Sequence, residues 1–296
     1  MMNAAPTPQR VYVVTDSTAD VPAPLVEELE ITVVPNYINF GLESLRDQVE
    51  ISRQSFYRRL ATEPVLPTTA APSVGDFEAA YRRLLPRLEG AGPGSGIVSI
   101  HCAANLSAIH NTALLASRSL AQVPIAVLNS GMLTMALGWQ VIAAARAARA
   151  GASLEEVVAT VEAVRPRVRL YAVLDTLEFL HRSGRVSWAR AAMGALLRIK
   201  PIVEVRDGQV FQRERVRTRK RAVARLVEIT EALGPLEALA VLHTNAPEAV
   251  EQLHRTLAAR FPDAETIVEE ATPVLGVHVG PGALGIAAVV RAPDTA

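Results

Sequence analysis

Residues 11–20 read VYVVTDSTAD, a largely β-branched run that ends in a cluster of carboxylates and hydroxyls. The run from Val11 to Thr15 predicts a buried strand. The segment that follows, DSTADVPAPLVEELE, offers Asp and Thr as helix caps, a proline near the first turn and apolar residues at helical spacing, so it predicts a helix. Residues 31–40 (ITVVPNYINF) then return as an extended segment that Pro35 interrupts. This order is typical of a βαβ unit with a parallel sheet.

Capping signals place two further helices in the first half of the chain. Two pairs of residues have the spacing of a capping box: Ser73 with Asp76, and Ser153 with Glu156. The first pair predicts a helix that runs toward Leu88 and leaves residues 63–72 as a loop. The second pair predicts a helix that ends near Pro166.

Two apolar runs between these helices predict further strands. They are GIVSIHC (residues 96–102) and PIAVLN (residues 124–129), and a segment of helical periodicity follows each. We therefore predict an α/β protein whose N-terminal domain, residues 9–165, has a mainly parallel sheet with flanking helices.

The second half has a different pattern. Asp207-Gly208 lies between two strand-like runs, which predicts a β-hairpin and hence some antiparallel pairing. The remaining predicted elements are a basic helix (218–232), a strand (239–243), a helix (247–261) and strands near 266–269 and 286–290. We predict a C-terminal α/β domain over residues 166–296, with a mixed sheet and a ligand between the two domains.

Composition narrows the function. Thirty basic and thirty acidic side chains cancel, so no overall field favours nucleic acid or an anionic membrane. With Cys102 as the one cysteine, a disulfide or a cysteine-based zinc site cannot form within the chain. The first ten residues lack an apolar run, and the apolar stretch 132–150 contains Gln140, Arg146 and Arg149, so we expect a cytoplasmic protein without stable membrane insertion.

Candidate binding residues follow the predicted strands, where α/β proteins bind their ligands. Hydroxyl-rich or glycine-rich clusters occur at Asp16-Ser17-Thr18, Pro67–Ser73, Asn105-Leu106-Ser107 and His278–Gly285. Hydroxyls, backbone amides and an imidazole can hold a carboxylate without a buried counter-charge. Each cluster also has a structural interpretation, as a helix cap or a turn. We find no metal-binding motif, and Gly280–Gly285 matches GxGxxG without the following helix that a dinucleotide site needs.

One local concentration of charge stands out. Arg213, Arg215, Arg217 and Arg219 alternate along the chain, which is the spacing of one face of a strand. A solvated face is the first interpretation, and a docking surface for a protein partner is the second.

Eight motifs in order resemble the DegV family of bacterial fatty-acid-binding proteins over nearly the whole chain. The motifs are TDSTAD (15–20), VVPNYINFG (33–41), PTTAAPS (67–73), NLSAIHNTA (105–113), LNSGMLTMALG (128–138), LEFLHRSGRVS (177–187), LLRIKPIVEVRDGQV (196–210) and HVGPGALG (278–285). The resemblance implies two α/β domains that enclose one long-chain fatty acid and present its carboxylate to an ATP-dependent fatty acid kinase subunit. It implies no catalytic residue in this chain and no cofactor other than the bound fatty acid.

The resemblance also implies roles for particular residues. Thr69, Ser107 and His278 hold the carboxylate, and Arg185 faces the kinase or the transferred phosphate. Candidate neighbours of the head group are Ser17, Asn105, His110, Gly280 and Gly282.

The sequence departs from the family pattern close to these residues. The family's Ser-Gln is Ala70-Ala71 here, its Gly-Thr-Tyr is Ala108-Ile109-His110, its first Gly before Arg185 is Ser183, and its Asp before Ser130 is Asn129. Two alternatives therefore stay open. One is a serine-dependent acyl hydrolase or transferase that uses Ser107 with His110 or His278 as base, and the other is a binding module for a different hydrophobic ligand.

Overall fold

The computed structural model describes residues 8–191 and 199–293. The strands are β1 Val11–Asp16, β2 Thr32–Val34, β3 Tyr37–Phe40, β4 Glu43–Arg46, β5 Thr68–Ala70, β6 Gly96–His101, β7 Ile125–Asn129, β8 Val168–Val173, β9 Lys200–Arg206, β10 Gln209–Val216, β11 Leu236–His243, β12 Glu265–Glu270 and β13 Leu284–Val290. The helices are α1 Ala23–Glu28, α2 Arg53–Leu60, α3 Val74–Leu88, α4 Ile109–Arg118, α5 Thr134–Arg149, α6 Leu154–Val164, α7 Glu178–Ser183, α8 Ser187–Ala191, α9 Arg219–Glu231, α10 Pro247–Ala258 and α11 Pro273–Val279.

The first half is built on a four-stranded sheet in the order β2-β1-β6-β7, in which every pairing is parallel. This confirms the predicted parallel sheet. Both capping boxes are present: Ser73 with Asp76 begins α3, and Ser153 with Glu156 begins α6. Apolar side chains on one face of the sheet pack against α3 and α4.

The second half is built on a six-stranded mixed sheet in the order β10-β9-β8-β13-β11-β12. Among the residues that the structure describes, only β11 and β12 pair in parallel within it. The predicted hairpin is confirmed, because Asp207-Gly208 connects the antiparallel strands β9 and β10. One face of this sheet packs against α9 and α10. The mixed α/β fold predicted from the sequence is thus confirmed.

Helices α5 and α6 lie between the two large sheets. Their apolar residues form one core with β1 and β6 on one side and with β8, β11 and β13 on the other. The Trp139 indole N–H donates to the carbonyl oxygen of Ala287 at 3.0 Å, so a hydrogen bond also links α5 to the second sheet. All strands of the first sheet precede residue 165 and all strands of the second follow it; the division into domains there stays a prediction.

The structure differs from two expectations. The first concerns a small antiparallel sheet in the order β4-β3-β5. Residues 63–72 are not wholly a loop, because Thr68–Ala70 pairs with β3. His278 does not lie in a loop either, because residues 273–279 form α11. Helix α11 packs with α2 and β3 in a core of its own, which carries part of the second half over the first. Residues 196–198 of the LLRIKPIVEVRDGQV motif lie outside the described residues.

Candidate functional site

A cavity of about 610 Å³ lies between the six-stranded sheet and the loops that follow strands of the first half. Its size is within the usual range for small-molecule sites. The sheet contributes an apolar wall made of Leu170, Ala172, Leu174, Val203, Val205, Val210, Leu242 and Leu284. Alternation explains this wall: Tyr171, Val173 and Ile202 point to the opposite face and pack on α9 and α10.

Helix α11 and the first half supply the facing wall. Its apolar members are Leu106, Ile109, Leu133, Val274, Leu275 and Val279. Ala70 and Ala71, which stand in place of Ser-Gln, also line the cavity, as does Ala108, which stands in place of Gly. The site is therefore mostly apolar, with a few polar groups at defined places.

Thr69 and His278 form the best-defined polar pair in the cavity. The Thr69 hydroxyl and the His278 Nε2 are 3.0 Å apart, although 209 residues separate them in the chain. The other ring nitrogen, Nδ1, is buried and has no hydrogen-bond partner among residues 8–191 and 199–293. Burial, with a smaller effect of the Arg185 charge, lowers the pKa of His278 to about 4. The imidazole is therefore neutral near pH 7.

Ser107 and Asn105 line the cavity in the turn between β6 and α4. The Ser107 backbone N–H donates to the carbonyl oxygen of Ala103 at 3.2 Å, which fixes the turn. The Ser107 hydroxyl accepts a long hydrogen bond of 3.4 Å from the Ile109 N–H. The N-cap residue of α4 is Ala108, which makes no side-chain hydrogen bond to the helix. The first turn of α4 thus leaves amide donors beside Ser107.

Arg185 lies at the open side of the cavity. It lines the cavity and is exposed to solvent. Its guanidinium donates to the Ser183 carbonyl oxygen at 2.7 Å, and no carboxylate in the described part of the chain pairs with it. Its charge is available to an anionic group at the mouth.

Four candidate neighbours of the head group lie outside the cavity lining. The Ser17 hydroxyl donates to Asp47 Oδ2 at 2.7 Å and is buried. His110 is absent from the lining, although its neighbours Ile109 and Asn111 belong to it; burial, and then the nearby His101, lower its pKa.

The other two, Gly280 and Gly282, have structural contacts away from the cavity. A Cβ on Gly280 would lie 2.3 Å from the Phe179 ring. The Gly282 carbonyl oxygen accepts from the Arg219 guanidinium at 2.6 Å. Gly280 is thus required by packing, and Gly282 takes part in a structural hydrogen bond. Neither glycine lines the cavity.

A buried Ser-His-Asp chain was not predicted from the sequence. Asp16 Oδ2 is 3.0 Å from His101 Nδ1, and His101 Nε2 is 2.6 Å from the Ser99 hydroxyl. Burial would raise the pKa of Asp16, but hydrogen bonds from His101, Thr18 and the Cys102 N–H together lower it. Asp16 and His101 end the neighbouring parallel strands β1 and β6. Their positions at the ends of two predicted strands were the signal in the sequence that could have indicated this contact.

This chain of side chains has no route to a substrate. Ser99, His101 and Asp16 are fully buried, and the Ser99 hydroxyl also contacts the Tyr81 hydroxyl at 2.9 Å. Ser107, which does line the cavity, has no hydrogen bond to either His110 or His278 among the described residues. The base that a nucleophilic serine requires is thus missing at Ser107.

The alternating arginines form a solvated face. Arg213 and Arg215 are exposed on β10, where they bond to Glu204 and Gln212 at 2.9 and 3.0 Å. Arg219 pairs with Asp175 at 3.1 Å at the start of α9.

Comparison with known proteins assigns the chain to a family. The sequence pattern described as "Uncharacterised protein, DegV family" matches residues 10–291. The chain belongs to the DegV family. A DegV domain-containing protein of Streptomyces coelicolor is 39% identical over 282 residues, which cover 94% of this chain and 98% of that protein.

Solved DegV structures share the fold over almost the full length. A DegV family protein from Thermus thermophilus, described as binding fatty acid, superposes with a TM-score of 0.85 and 31% identity, covering 96% of this chain and 100% of that one. DegV from Bacillus subtilis, described as a fatty acid binding protein, superposes with a TM-score of 0.86, the same identity and the same coverage.

Two further observations concern other kinds of site. In the described part of this DegV chain, no helix combines the length and apolar character that crossing a bilayer requires. Within the same residues, no group of three or more His, Cys, Asp and Glu side chains is arranged to hold a metal ion.

Proposed function

We propose that this chain binds a long-chain fatty acid, with the acyl chain against the apolar walls and the carboxylate at Thr69, Ser107 and His278. The observation that carries the proposal is the Thr69–His278 pair, whose hydrogen-bonded hydroxyl and imidazole line a mostly apolar cavity. The Thermus thermophilus and Bacillus subtilis relatives described as binding fatty acid support it.

Burial of the acyl chain supplies the affinity. Each methylene removed from water contributes about 0.8 kcal/mol. A chain of sixteen to eighteen carbons therefore contributes on the order of 10 kcal/mol before the costs of ordering are subtracted. The polar groups of the site therefore serve mainly to orient the head group, and they contribute less to the affinity than the acyl chain does.

Neutral donors suit that task. When Nε2 of His278 carries the ring proton and donates it to the Thr69 hydroxyl, that hydroxyl can donate its own proton to a carboxylate oxygen. The Ser107 hydroxyl, which also lines the cavity, is a further donor. Because none of these groups is a full charge, the carboxylate keeps its nucleophilic character.

We further propose that the bound carboxylate is presented to an ATP-dependent kinase subunit. A carboxylate oxygen attacks the γ-phosphorus of ATP, the bond to ADP breaks, and an acyl phosphate forms. Arg185, exposed at the mouth without a carboxylate partner in the described part of the chain, offsets negative charge on the transferred phosphoryl group.

Lipid extraction and a matched pair of variants test the binding proposal. Mass spectrometry of an organic extract should find close to one fatty acid per chain. Thr69→Val should weaken fatty acid binding to delipidated protein by about 1–3 kcal/mol, because a hydrogen bond in the head-group site is lost. Thr68→Val is the control, since Thr68 is exposed on the same strand and lies outside the cavity. A different extracted molecule, or equal affinities for the two variants, would refute the assignment.

The presentation step has its own test. Arg185→Ala should leave fatty acid affinity unchanged and slow phosphorylation by a purified bacterial fatty acid kinase subunit with ATP. The control is Arg182→Ala, which removes an exposed arginine that pairs with Glu178 on α7. Loss of fatty acid binding in Arg185→Ala would place this residue in the binding site instead.

A further inference from the structure

Three loops from the two halves of the molecule meet beside Ser107. They are the turn of residues 103–107, the turn of residues 129–132 and the tip of the β9–β10 hairpin, residues 207–208. The tip's Gly208 N–H donates to the Gly131 carbonyl oxygen at 2.8 Å. Asp207 and Gly208 both have positive φ, 51° and 72°, as in the tight turns that two-residue hairpins use. The tip therefore meets the first half in a defined conformation.

Asn129 fastens two of these loops to each other. Its side-chain Oδ1 accepts from the Ala104 N–H at 3.2 Å and from the Gly131 N–H at 3.1 Å. The Ala103 N–H donates to the Met132 carbonyl oxygen at 2.9 Å. The Ser107 N–H in turn donates to the Ala103 carbonyl oxygen. A continuous set of hydrogen bonds thus runs from the hairpin tip to the backbone of Ser107.

The contact at the tip leaves no room for a side chain. A Cβ on Gly208 would lie 3.2 Å from the Asn105 side-chain nitrogen and 3.3 Å from the Ala103 Cβ. Asn105 lines the cavity two residues before Ser107. A larger residue at position 208 would have to push on the turn that carries Ser107.

We propose that Asn129 and Gly208 are positioning residues for the fatty acid head group, because they hold the 103–107 turn where Ser107 reaches the carboxylate. The inference rests on the proposed function and adds to it the residues that place one of its donors. It also accounts for Asn129, where the family pattern has Asp. Both N–H donors use a single oxygen, Oδ1, which an amide supplies as well as a carboxylate does.

The first test is a double-mutant cycle on fatty acid affinity. Ser107→Ala alone should weaken oleate binding about tenfold, the effect of one hydrogen bond to a charged group. Asn129→Ala should weaken it about fivefold in the wild-type background and have little further effect in the Ser107→Ala background, since groups that act through one contact are not additive. Asn129→Asp should restore wild-type affinity.

A second variant removes the dependence on Asn129. Gly208→Ala should weaken oleate binding more than Gly234→Ala does. The control glycine has a similar positive φ of 77° and no atom within 4 Å of an added Cβ, so it carries the backbone strain without the contact. Equal affinities for these two variants would overturn the inference.

The outcomes separate the two proposals. Full additivity of Asn129→Ala with Ser107→Ala would overturn the positioning role alone. Wild-type affinity in Ser107→Ala beside a loss in Asn129→Ala would overturn that role and the assignment of Ser107 to the head group, but not fatty acid binding itself. Failure of the wild-type protein to bind oleate would overturn the proposed function and this inference with it.

Discussion

Replacing Asp47 by Asn should stabilise the protein, and increasingly so as the pH rises. Asp47 is 1% exposed, and its carboxylate accepts from the Ser17 hydroxyl at 2.7 Å. Burial outweighs the hydrogen bonds from Ser17 and Gln48 and raises the pKa of Asp47 from its ordinary 3.8 to about 7. The folded protein therefore binds a proton here that the unfolded chain releases between these two pH values.

The sign and size of the effect follow from that difference. The protonated carboxyl contributes stability in full below pH 3.8, and this contribution is lost progressively as the pH rises to about 7. Each pH unit in this window costs about 1.4 kcal/mol, so the ionised form destabilises the folded protein by about 4 kcal/mol above the window. An Asn side chain stays neutral and keeps an oxygen for the Ser17 hydroxyl, so the Asp47→Asn variant avoids this loss.

Urea unfolding at pH 5 and pH 8 measures the difference. The stability gained by Asp47→Asn should be about 1–2 kcal/mol at pH 5 and about 4 kcal/mol at pH 8. Asp263→Asn, at an exposed position, removes the same charge and should change the free energy of unfolding by less than about 0.5 kcal/mol at both pH values. A gain for Asp47→Asn that does not change between pH 5 and pH 8 would refute the reasoning.

Three further predictions concern the core. Gly138→Ala should destabilise the protein by about 1–3 kcal/mol in urea unfolding, because its Cβ would lie 2.6 Å from a backbone oxygen. The control Gly75→Ala should be neutral or stabilising, because the nearest atom to its Cβ would be 3.7 Å away. Trp139→Phe should cost about 1–3 kcal/mol in the same assay, since a buried carbonyl oxygen loses its donor; an unchanged midpoint would contradict this. A fluorophosphonate probe should not label native Ser99, which is 0% exposed, and labelling detected by peptide mass spectrometry would show that a reagent reaches it.

The elements that were predicted from the sequence have local signals. The capping boxes at Ser73 and Ser153 fix helix starts by contacts three residues apart, and both are present. The Asp207-Gly208 turn is equally local. Such signals depend little on the rest of the fold, which is why they identify elements from sequence alone.

The elements that were not predicted depend on distant partners. Strand β5 has three residues and exists because Thr69 pairs with Ile38 of β3. Helix α11 has seven residues with a glycine among them, and its stability comes from packing on α2 and β3. The meeting of Thr69 with His278 requires both elements, so the sequence indicated the two residues but not the distance between them.

The same dependence on distant partners applies to the buried Ser-His-Asp arrangement, which lies apart from the cavity. Asp16, His101 and Ser99 form hydrogen bonds with one another in the core near the carboxyl ends of β1 and β6. The Tyr81 hydroxyl forms a further hydrogen bond with the Ser99 hydroxyl. The cavity instead receives groups that stay neutral, above all His278, whose pKa is about 4. A nucleophile needs access and a base that can take its proton, whereas holding a carboxylate needs donors that do not react with it. The two sets of groups are therefore separate: the Ser-His-Asp arrangement is buried, and the base beside the cavity donor Thr69 is His278, whose low pKa makes it a weak base.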